Sequence, residues 1–275
     1  MVRSRSIVGS IVHYVVLVAI LAVMVGPLVW MARVALLDKT ATLSPDSLLS
    51  TAVTLQNFID LFTQSGMARY MFNSLFVAVA VTVGNIIFCV MVGWVLARHR
   101  SWFTRLLFVS VVIVLMIPVH IVIIPLYLIC LKGGIYDTYW ALILPFLINP
   151  IGIFLARQYI ETIPPSMEEA ARVDGASEAR ILFTIVMPMA KPAIAVLGVL
   201  AFITNWNSFL FPFILTSSES MRTLPVALAM LQGHQAIDWQ HLMAGSTLAV
   251  LPVLALFFIM QRQIVSGVTA GGIKQ

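Results

Sequence analysis

The sequence predicts an all-α integral membrane protein: six transmembrane helices, with a two-part helical segment on the cytoplasmic side between the fourth and the fifth. Three observations carry this. Charged residues make up only 10% of the 275, against 61% hydrophobic ones, and the mean hydropathy is +1.02. A soluble domain carries roughly 25% charged residues, so lipid must solvate this one. Apolar runs without an acidic or basic side chain occur six times, at Ile7–Trp30, Met71–Ala97, Leu106–Leu131, Thr138–Ala156, Pro192–Leu215 and Leu242–Met260. Each is near the ~20 helical residues that cross a ~30 Å hydrocarbon core. They are continuously apolar rather than alternating, which makes them helices and not barrel strands. The third observation is the distribution of Lys and Arg, whose excess marks cytoplasmic loops. With the N-terminus inside, Arg3, Arg5, Arg98, Arg100, Arg105, Arg157, Arg172, Arg180, Lys191, Arg262 and Lys274 face the cytoplasm. Arg33, Lys39, Arg69, Lys132 and Arg222 face outward, a split of eleven against five. The net charge of +5 therefore reports topology in a lipid bilayer and not a nucleic-acid partner.

Taken in order, the first run follows Arg3 and Arg5 as a signal peptide would. It is longer than the 7–15-residue signal core and lacks an A-x-A-like site, so it reads as an uncleaved first span. An outer loop of about 36–70 follows, with Pro45, Asp46, Gln56, Asn57 and Asp60 among apolar Leu48, Leu49, Val53, Leu55, Phe58, Leu61 and Phe62. Such a mixture is expected to fold against something. The Arg98–Arg105 connection is short and basic, and "LKGGIYDTYW" forms a tight outer turn at Gly133-Gly134. Pro118, Pro125, Pro145, Pro150, Pro212 and Pro252 interrupt the spans, either as fixed kinks or as sites of bending. A second outer loop, Thr216–Gln240, carries Trp239, and a cytoplasmic tail runs from about 261 to 275. With no internal repeat, residues 1–275 read as one transmembrane domain. Cys89 and Cys130 lie inside spans and are expected to be small buried hydrophobes, not a disulfide or a metal site.

The segment of about 164–188 is the largest cytoplasmic one. Pro164-Pro165 closes the fourth span, and Ser166 followed by Glu169 has the S-x-x-E form of a capping box. Glu168 and Glu169 suit the first helical turn, and Glu168 can pair with Arg172 four residues on. Gly175 fits a left-handed stop, and Ser177 can cap a second helix running through Glu178 and Arg180 to Pro188. The physics gives two short helices joined at a glycine elbow. Ala170 and Ala171 would let a partner's backbone approach closely. Asp174, placed at a helix C-terminus where the dipole disfavours an anion, suggests a cationic partner on another subunit. A plain amphipathic connector is the competing reading.

At these residues a resemblance enters. Glu169-Ala170-Ala171, three residues, Gly175, nine residues, then Ile185-Val186-Met187-Pro188 resembles the EAA-x3-G-x9-I-x-L-P signature of permease subunits in binding-protein-dependent ABC importers, with Met187 where leucine is usual. "TLQNFIDLF", "NSLFVAVAVT", "MIPVHIVIIPLYLI", "IYDTYWALILP", "FITNWNSFLFPFIL", "TLPVALAML" and "QRQIVSGVTAGGIKQ" extend the likeness along most of the chain. They resemble the carbohydrate-uptake branch, above all the second permease of maltose-type systems. The resemblance implies a multi-pass protein of the inner (plasma) membrane with both termini cytoplasmic. It implies a second homologous permease, two ATPase subunits that hold ATP and Mg, and an extracytoplasmic substrate-binding protein. It further implies that the elbow is a coupling helix seated on the ATPase through Glu169, Ala170, Ala171, Asp174 and Gly175, with Ser166 and Arg172 shaping it. A tail contact is implied at Gly267, Thr269, Gly271 and Gly272.

The residues agree independently. No G-x-x-x-x-G-K-[ST] phosphate loop occurs, so this chain binds no ATP through that motif, and no cofactor or metal is expected on it. The last five spans contain no Asp, Glu, Lys or Arg, whereas an ion-coupled carrier usually buries an acidic relay. A membrane enzyme would need clustered acids, His or Cys, and the elbow alone is acid-rich. The densest polar group at membrane depth is Thr204-Asn205-Trp206-Asn207-Ser208. Amides and hydroxyls suit sugar hydroxyls, and an indole face suits a pyranose ring; helix–helix hydrogen bonding is the commoner role. Asn207 leads the translocation-path candidates, followed by Asn205 and Trp206, with Ser208 beside them. Asn85, Thr82 and Asn149 are weaker, each with packing or a local backbone bond as its ordinary role. His120 is expected to be a hydrogen-bonded core histidine. The resemblance implies a sugar or glycoside as the substrate; glycerol phosphate, its diesters or a polyol is the alternative within the same branch, disfavoured by the lack of basic residues within the spans.

Overall fold

The computed structural model describes residues 7–38, 53–231 and 238–272, with 7–9 and 262–272 as backbone alone. Arg3, Arg5, Lys39, Pro45, Asp46, Leu48, Leu49 and Lys274 lie outside the described residues, as do the side chains of Arg262 and Thr269 and the surroundings of the tail candidates Gly267, Thr269, Gly271 and Gly272.

Every regular element among the described residues is helical. In chain order these are α1 (Ile7–Ala35), α2 (Gln56–Gln64), α3 (Met67–Arg98) and α4 (Trp102–Leu115). A 3-10 turn at Val119–Val122 leads into α5 (Ile123–Lys132). Then come α6 (Tyr139–Ile143), a 3-10 turn at Leu144–Phe146, α7 (Pro150–Ile160), α8 (Ser166–Val173) and α9 (Glu178–Ile181). A π turn at Leu182–Val186 joins α9 to the single-turn α10 (Met187–Met189). The remainder is α11 (Lys191–Trp206), α12 (Leu210–Leu215), α13 (Leu224–Met230) and α14 (Trp239–Gly272).

Four stretches are long and apolar enough to cross a membrane unaided: Ser10–Ala35, Met67–Arg98, Tyr139–Ile160 and Trp239–Gln261. Two more are bent pairs, Trp102–Leu115 with Val119–Lys132 at 97°, and Glu178–Met189 with Lys191–Trp206 at 83°. The described residues thus offer four to six spans. The run Leu106–Leu131 is broken at Pro118, as expected of a proline that lacks an N–H and keeps its predecessor out of the α region. His120 falls on the 3-10 turn after that break and is exposed, not a core histidine. The expected run Pro192–Leu215 stops at Trp206, whereas Pro252 sits inside α14 without ending it. Pro150 opens α7 as its first residue, where the missing N–H costs nothing.

The chain divides into two units, residues 1–68 with 227–252, and residues 69–226 with 253–275. In the first, α1 is apolar on all sides and its side chains from Ile11 to Trp30 are exposed. The start of α2 is tied down by Asn57, whose Nδ2 donates to the carbonyls of Ala35 at 2.8 Å and Leu37 at 2.7 Å. Close approach in this unit occurs at Gly245, where a Cβ would lie 2.4 Å from Leu228 Cδ2.

In the second unit, α3 is the mast against which the others pack. A Cβ at Gly93 would lie 2.7 Å from that of Ala156, and one at Gly152 would lie 2.9 Å from Cys89 Sγ. These small residues let the backbones of α3 and α7 meet, the usual device for packing helices in lipid. Three buried clusters follow along α3: Val77, Val81, Cys130 and Leu142; Cys89, Ile153 and Leu197; and Val90, Trp94, Ile160, Ile181 and Val186. Both cysteines are free and fully buried, as expected. At the other end, Asn73 Nδ2 donates to the carbonyls of Ser220 and Arg222, and Asp137 accepts from the backbone N–H groups of Ser217 and Ser218. Burial raises the Asp137 carboxyl, but these hydrogen bonds outweigh it and hold the group below the ordinary carboxylate range.

Candidate functional site

The elbow is built from its backbone outward. Helix α7 ends at Ile160, before the Pro164-Pro165 pair. Pro165 therefore does not close the preceding helix but opens α8: its carbonyl accepts the N–H groups of Glu168 and Glu169, both at 3.0 Å. Its φ of −67° and ψ of −21° are already helical, so Ser166 is drawn into the first turn. A capping side chain needs an extended backbone at its own residue. The capping box expected at Ser166 and Glu169 accordingly does not form, and α8 has no side-chain cap.

The far end follows expectation. Gly175 has φ +80°, its N–H reaches Arg172 O at 3.0 Å, and the N–H of Ala176 reaches Ala171 O at 2.9 Å. These two bonds make the Schellman closure that a left-handed glycine permits. Ser177 then caps α9, its Oγ accepting from Arg180 N at 3.3 Å. Arg172 bridges the corner to Glu178 with two bonds of 2.6 and 2.9 Å. Its hydrogen bonding to Glu178 raises the guanidinium above its ordinary value. The i,i+4 pairing of Arg172 with Glu168 is also present, at 3.7 Å.

Glu168 is more than a first-turn acid. Its side chain is 1% exposed, accepting from Trp94 Nε1 at 2.9 Å and Arg98 Nε at 2.8 Å. Arg98 Nη2 also donates to Ile163 O at 2.8 Å. A buried carboxylate without partners would cost several kcal/mol; here both oxygens are engaged. The bonds fasten α8 to the last turn of α3. Sequence reasoning missed this clamp, because the helix dipole was a sufficient reason for an acid there and the partners lie 70 and 74 residues away.

With Glu168 turned inward, Glu169, Ala170, Asp174 and Gly175 stand exposed on the other side of α8. Ala171 does not join them but is partly buried against the Trp94 cluster. Asp174 caps the helix C-terminus, and its carboxylate makes no hydrogen bond or ion pair among the described residues. Val173, 88% exposed, belongs to this surface as well. It was legible as an apolar residue four positions after Glu169, but no motif singled it out.

The polar group near the end of α11 is less concentrated than its sequence suggests. Asn205 Nδ2 donates to Ala201 O at 2.8 Å, within its own helix. Trp206 is 2% exposed, with its ring stacked 6.0 Å from that of Phe202. Asn207 caps α11 and is exposed. Asn205 and Ser208 share a narrow crevice with Ser74, Phe146, Pro212 and Thr223. Asn85 is buried and donates to Val81 O and Phe146 O; Asn149 caps α7 by accepting from Ile151 N. Thr82 bonds back to Ala78 O. The structure thus joins Asn205 to Ser208 and spends Asn85, Asn149 and Thr82 on the backbone.

Known proteins supply the frame. The family described as "Binding-protein-dependent transport system inner membrane component" matches residues 89–270. The chain is 36% identical over 225 residues to the arabinooligosaccharides transport system permease protein AraQ of Halalkalibacterium halodurans, covering 82% of this chain and 81% of that one. It is 30% identical over 277 aligned positions to the sn-glycerol-3-phosphate transport system permease protein UgpE of Rhizobium meliloti, covering 97% and 98%. Its fold matches that of a bacterial ABC transporter involved in the import of the acidic polysaccharide alginate, with a TM-score of 0.81, 24% identity, and 96% and 99% of the two chains covered. The chain therefore belongs to the inner membrane components of binding-protein-dependent transport systems: it is a permease subunit of an ABC importer, and not an enzyme.

Proposed function

We propose that this chain forms, with a second homologous permease, the path by which a neutral sugar or glycoside enters the cell. In this reading each bent pair is one of six spans, and both termini and the elbow lie in the cytoplasm, in keeping with the excess of Lys and Arg on that side. An extracytoplasmic substrate-binding protein loads the path, and two ATPase subunits holding ATP and Mg drive it. The elbow docks on one ATPase through Glu169, Ala170, Val173, Asp174 and Gly175. One observation carries this reading: the exposed face of α8 is backed by the buried Glu168–Arg98–Trp94 clamp, so a push on that face reaches α3 without slack. Oligosaccharide transport by a relative covering most of the chain supports the substrate class. So does the lack of charge within the last five runs.

A glycerol phosphate, one of its diesters or a polyol is the second reading, favoured by the full-length relative named for sn-glycerol-3-phosphate. Uptake of labelled arabinooligosaccharide, competed separately by unlabelled oligosaccharide and by glycerol 3-phosphate, distinguishes the two. For the elbow, Gly175→Pro and Glu169→Lys are expected to leave the protein in the membrane and abolish ATP-driven uptake. Normal uptake by either variant would overturn the docking role.

A further inference from the structure

Beside the elbow lies a second feature, at the turn between α3 and α4. Ser101 caps α4: its Oγ accepts from Thr104 N at 3.2 Å, while Thr104 Oγ1 accepts from Ser101 N at 3.0 Å. The Thr104 hydroxyl also donates to His99 O at 2.7 Å. This reciprocal cap fixes the turn. Between the turn and the base of α7 opens a cleft of about 1150 Å³. Its walls carry Arg98, Arg100, Arg105 and Arg157 against a single carboxylate, Glu161.

Two of the four guanidiniums are spoken for. Arg98 serves Glu168, and Arg157 pairs with Glu161 at 2.8 Å with its guanidinium 3.6 Å from the Phe108 ring centroid. Arg157 Nε is nevertheless buried without a hydrogen-bond partner. Arg100 and Arg105 are exposed and have no carboxylate partner among the described residues. The cleft is therefore cationic with donors to spare. A different chemistry starts at its rim. Trp102 is 78% exposed, and Leu106, Val109 and Ile113 continue from it as an exposed apolar line at helical spacing up α4. A free anion would use the guanidiniums and leave this line bare. A molecule with a phosphate at one end and hydrocarbon at the other uses both.

We propose that the cleft binds the phosphate of an anionic glycerophospholipid of the cytoplasmic leaflet. Arg100 and Arg105 hold the phosphate, the Trp102 indole sits at headgroup level, and an acyl chain lies along Leu106, Val109 and Ile113. Basic pockets at the cytoplasmic ends of helices and interfacial indoles are the physical means of such recognition. The proposal shares with the transport reading only the cytoplasmic placement of this turn.

The test is native mass spectrometry of the intact assembly, released from nanodiscs of phosphatidylcholine and phosphatidylglycerol. We expect phosphatidylglycerol to be retained preferentially. At about 5-fold per basic residue near an anionic surface, Arg100→Gln with Arg105→Gln should lower its retention about 30-fold and leave phosphatidylcholine unchanged. The Arg100→Lys, Arg105→Lys pair keeps the charge and should keep most of the selectivity, which separates loss of the site from loss of folding. Equal retention of the two lipids, or an unaltered preference in the glutamine variant, would overturn the proposal. So would inorganic phosphate displacing all the bound anion with no lipid selectivity, or photo-crosslinks from Trp102 going to a partner protein instead of lipid. Uptake and the sidedness of labelling at Ser101→Cys, measured on the same variants, report the transport reading and the orientation separately.

Discussion

The elbow at α8–α9 and the end of α11 are both dense in side chains that can hydrogen-bond, charged in the first and neutral in the second, and they use them differently. In the elbow, Glu168, Arg172 and Glu178 engage one another or α3 and Ser177 caps α9, which leaves Glu169, Ala170, Val173 and Asp174 presented on a fixed surface. At the end of α11, Asn205 bonds within its own helix and Trp206 stacks inside the protein, which leaves Thr204 and Asn207 as the exposed members of the group. The lesson is that counting polar residues does not locate a working surface. What matters is whether other residues absorb the structural duties and leave some free.

Breaking the brace behind the elbow should have the largest effect. Glu168→Ala leaves Arg98 without its buried carboxylate, and removing one partner of such a pair costs about 3–5 kcal/mol. We expect a lower thermal unfolding midpoint of the purified assembly and new protease cutting within 164–188. Glu168→Gln, which can still accept from Trp94, should lose less.

A smaller effect isolates the corner itself. The space around Gly175 is open, so Gly175→Ala meets no side chain and pays only for its positive φ. That penalty is about 1–2 kcal/mol, and it should appear as weaker coupling of ATP hydrolysis to uptake with assembly intact. Gly175→Asn, better suited to the left-handed region, should recover part of it.

The smallest change sharpens the other side of the comparison. Thr223 Oγ1 is buried beside Asn205 and Ser208 without a hydrogen-bond partner among the described residues. Replacing an unpaired buried hydroxyl by a methyl relieves a desolvation penalty, so Thr223→Val should be neutral or stabilising by up to about 1 kcal/mol in the unfolding midpoint. If the crevice lies on the translocation path, the same variant will lower uptake without lowering stability.

What the sequence made legible was local. The left-handed Gly175, the Ser177 cap, the turn at Gly133-Gly134 and the buried cysteines each depend on a few neighbouring residues, and all were read correctly. The capping box at Ser166 failed because Pro165 took a helical conformation and moved the start of α8 by one residue. Pro118 was legible as an interruption of the run Leu106–Leu131, but uniform hydropathy conceals how large the bend is, 97°, and that His120 beyond it is exposed. The inward turn of Glu168 and Ala171 was hidden for another reason: it depends on α3, whose contacts lie some seventy residues away. Burial at that distance leaves no periodic trace in an eight-residue helix.

The proposed coupling requires that the outward face of α8 meet a separate ATPase. Photo-crosslinking from residues 170, 171 and 173 in the intact assembly tests it most directly. We expect crosslinks to the ATPase from positions 170 and 173, and crosslinks within this chain from position 171, which packs against the Trp94 cluster. Crosslinks from 170 and 173 to lipid alone, or reaction of those positions with reagents confined to the exterior, would contradict it.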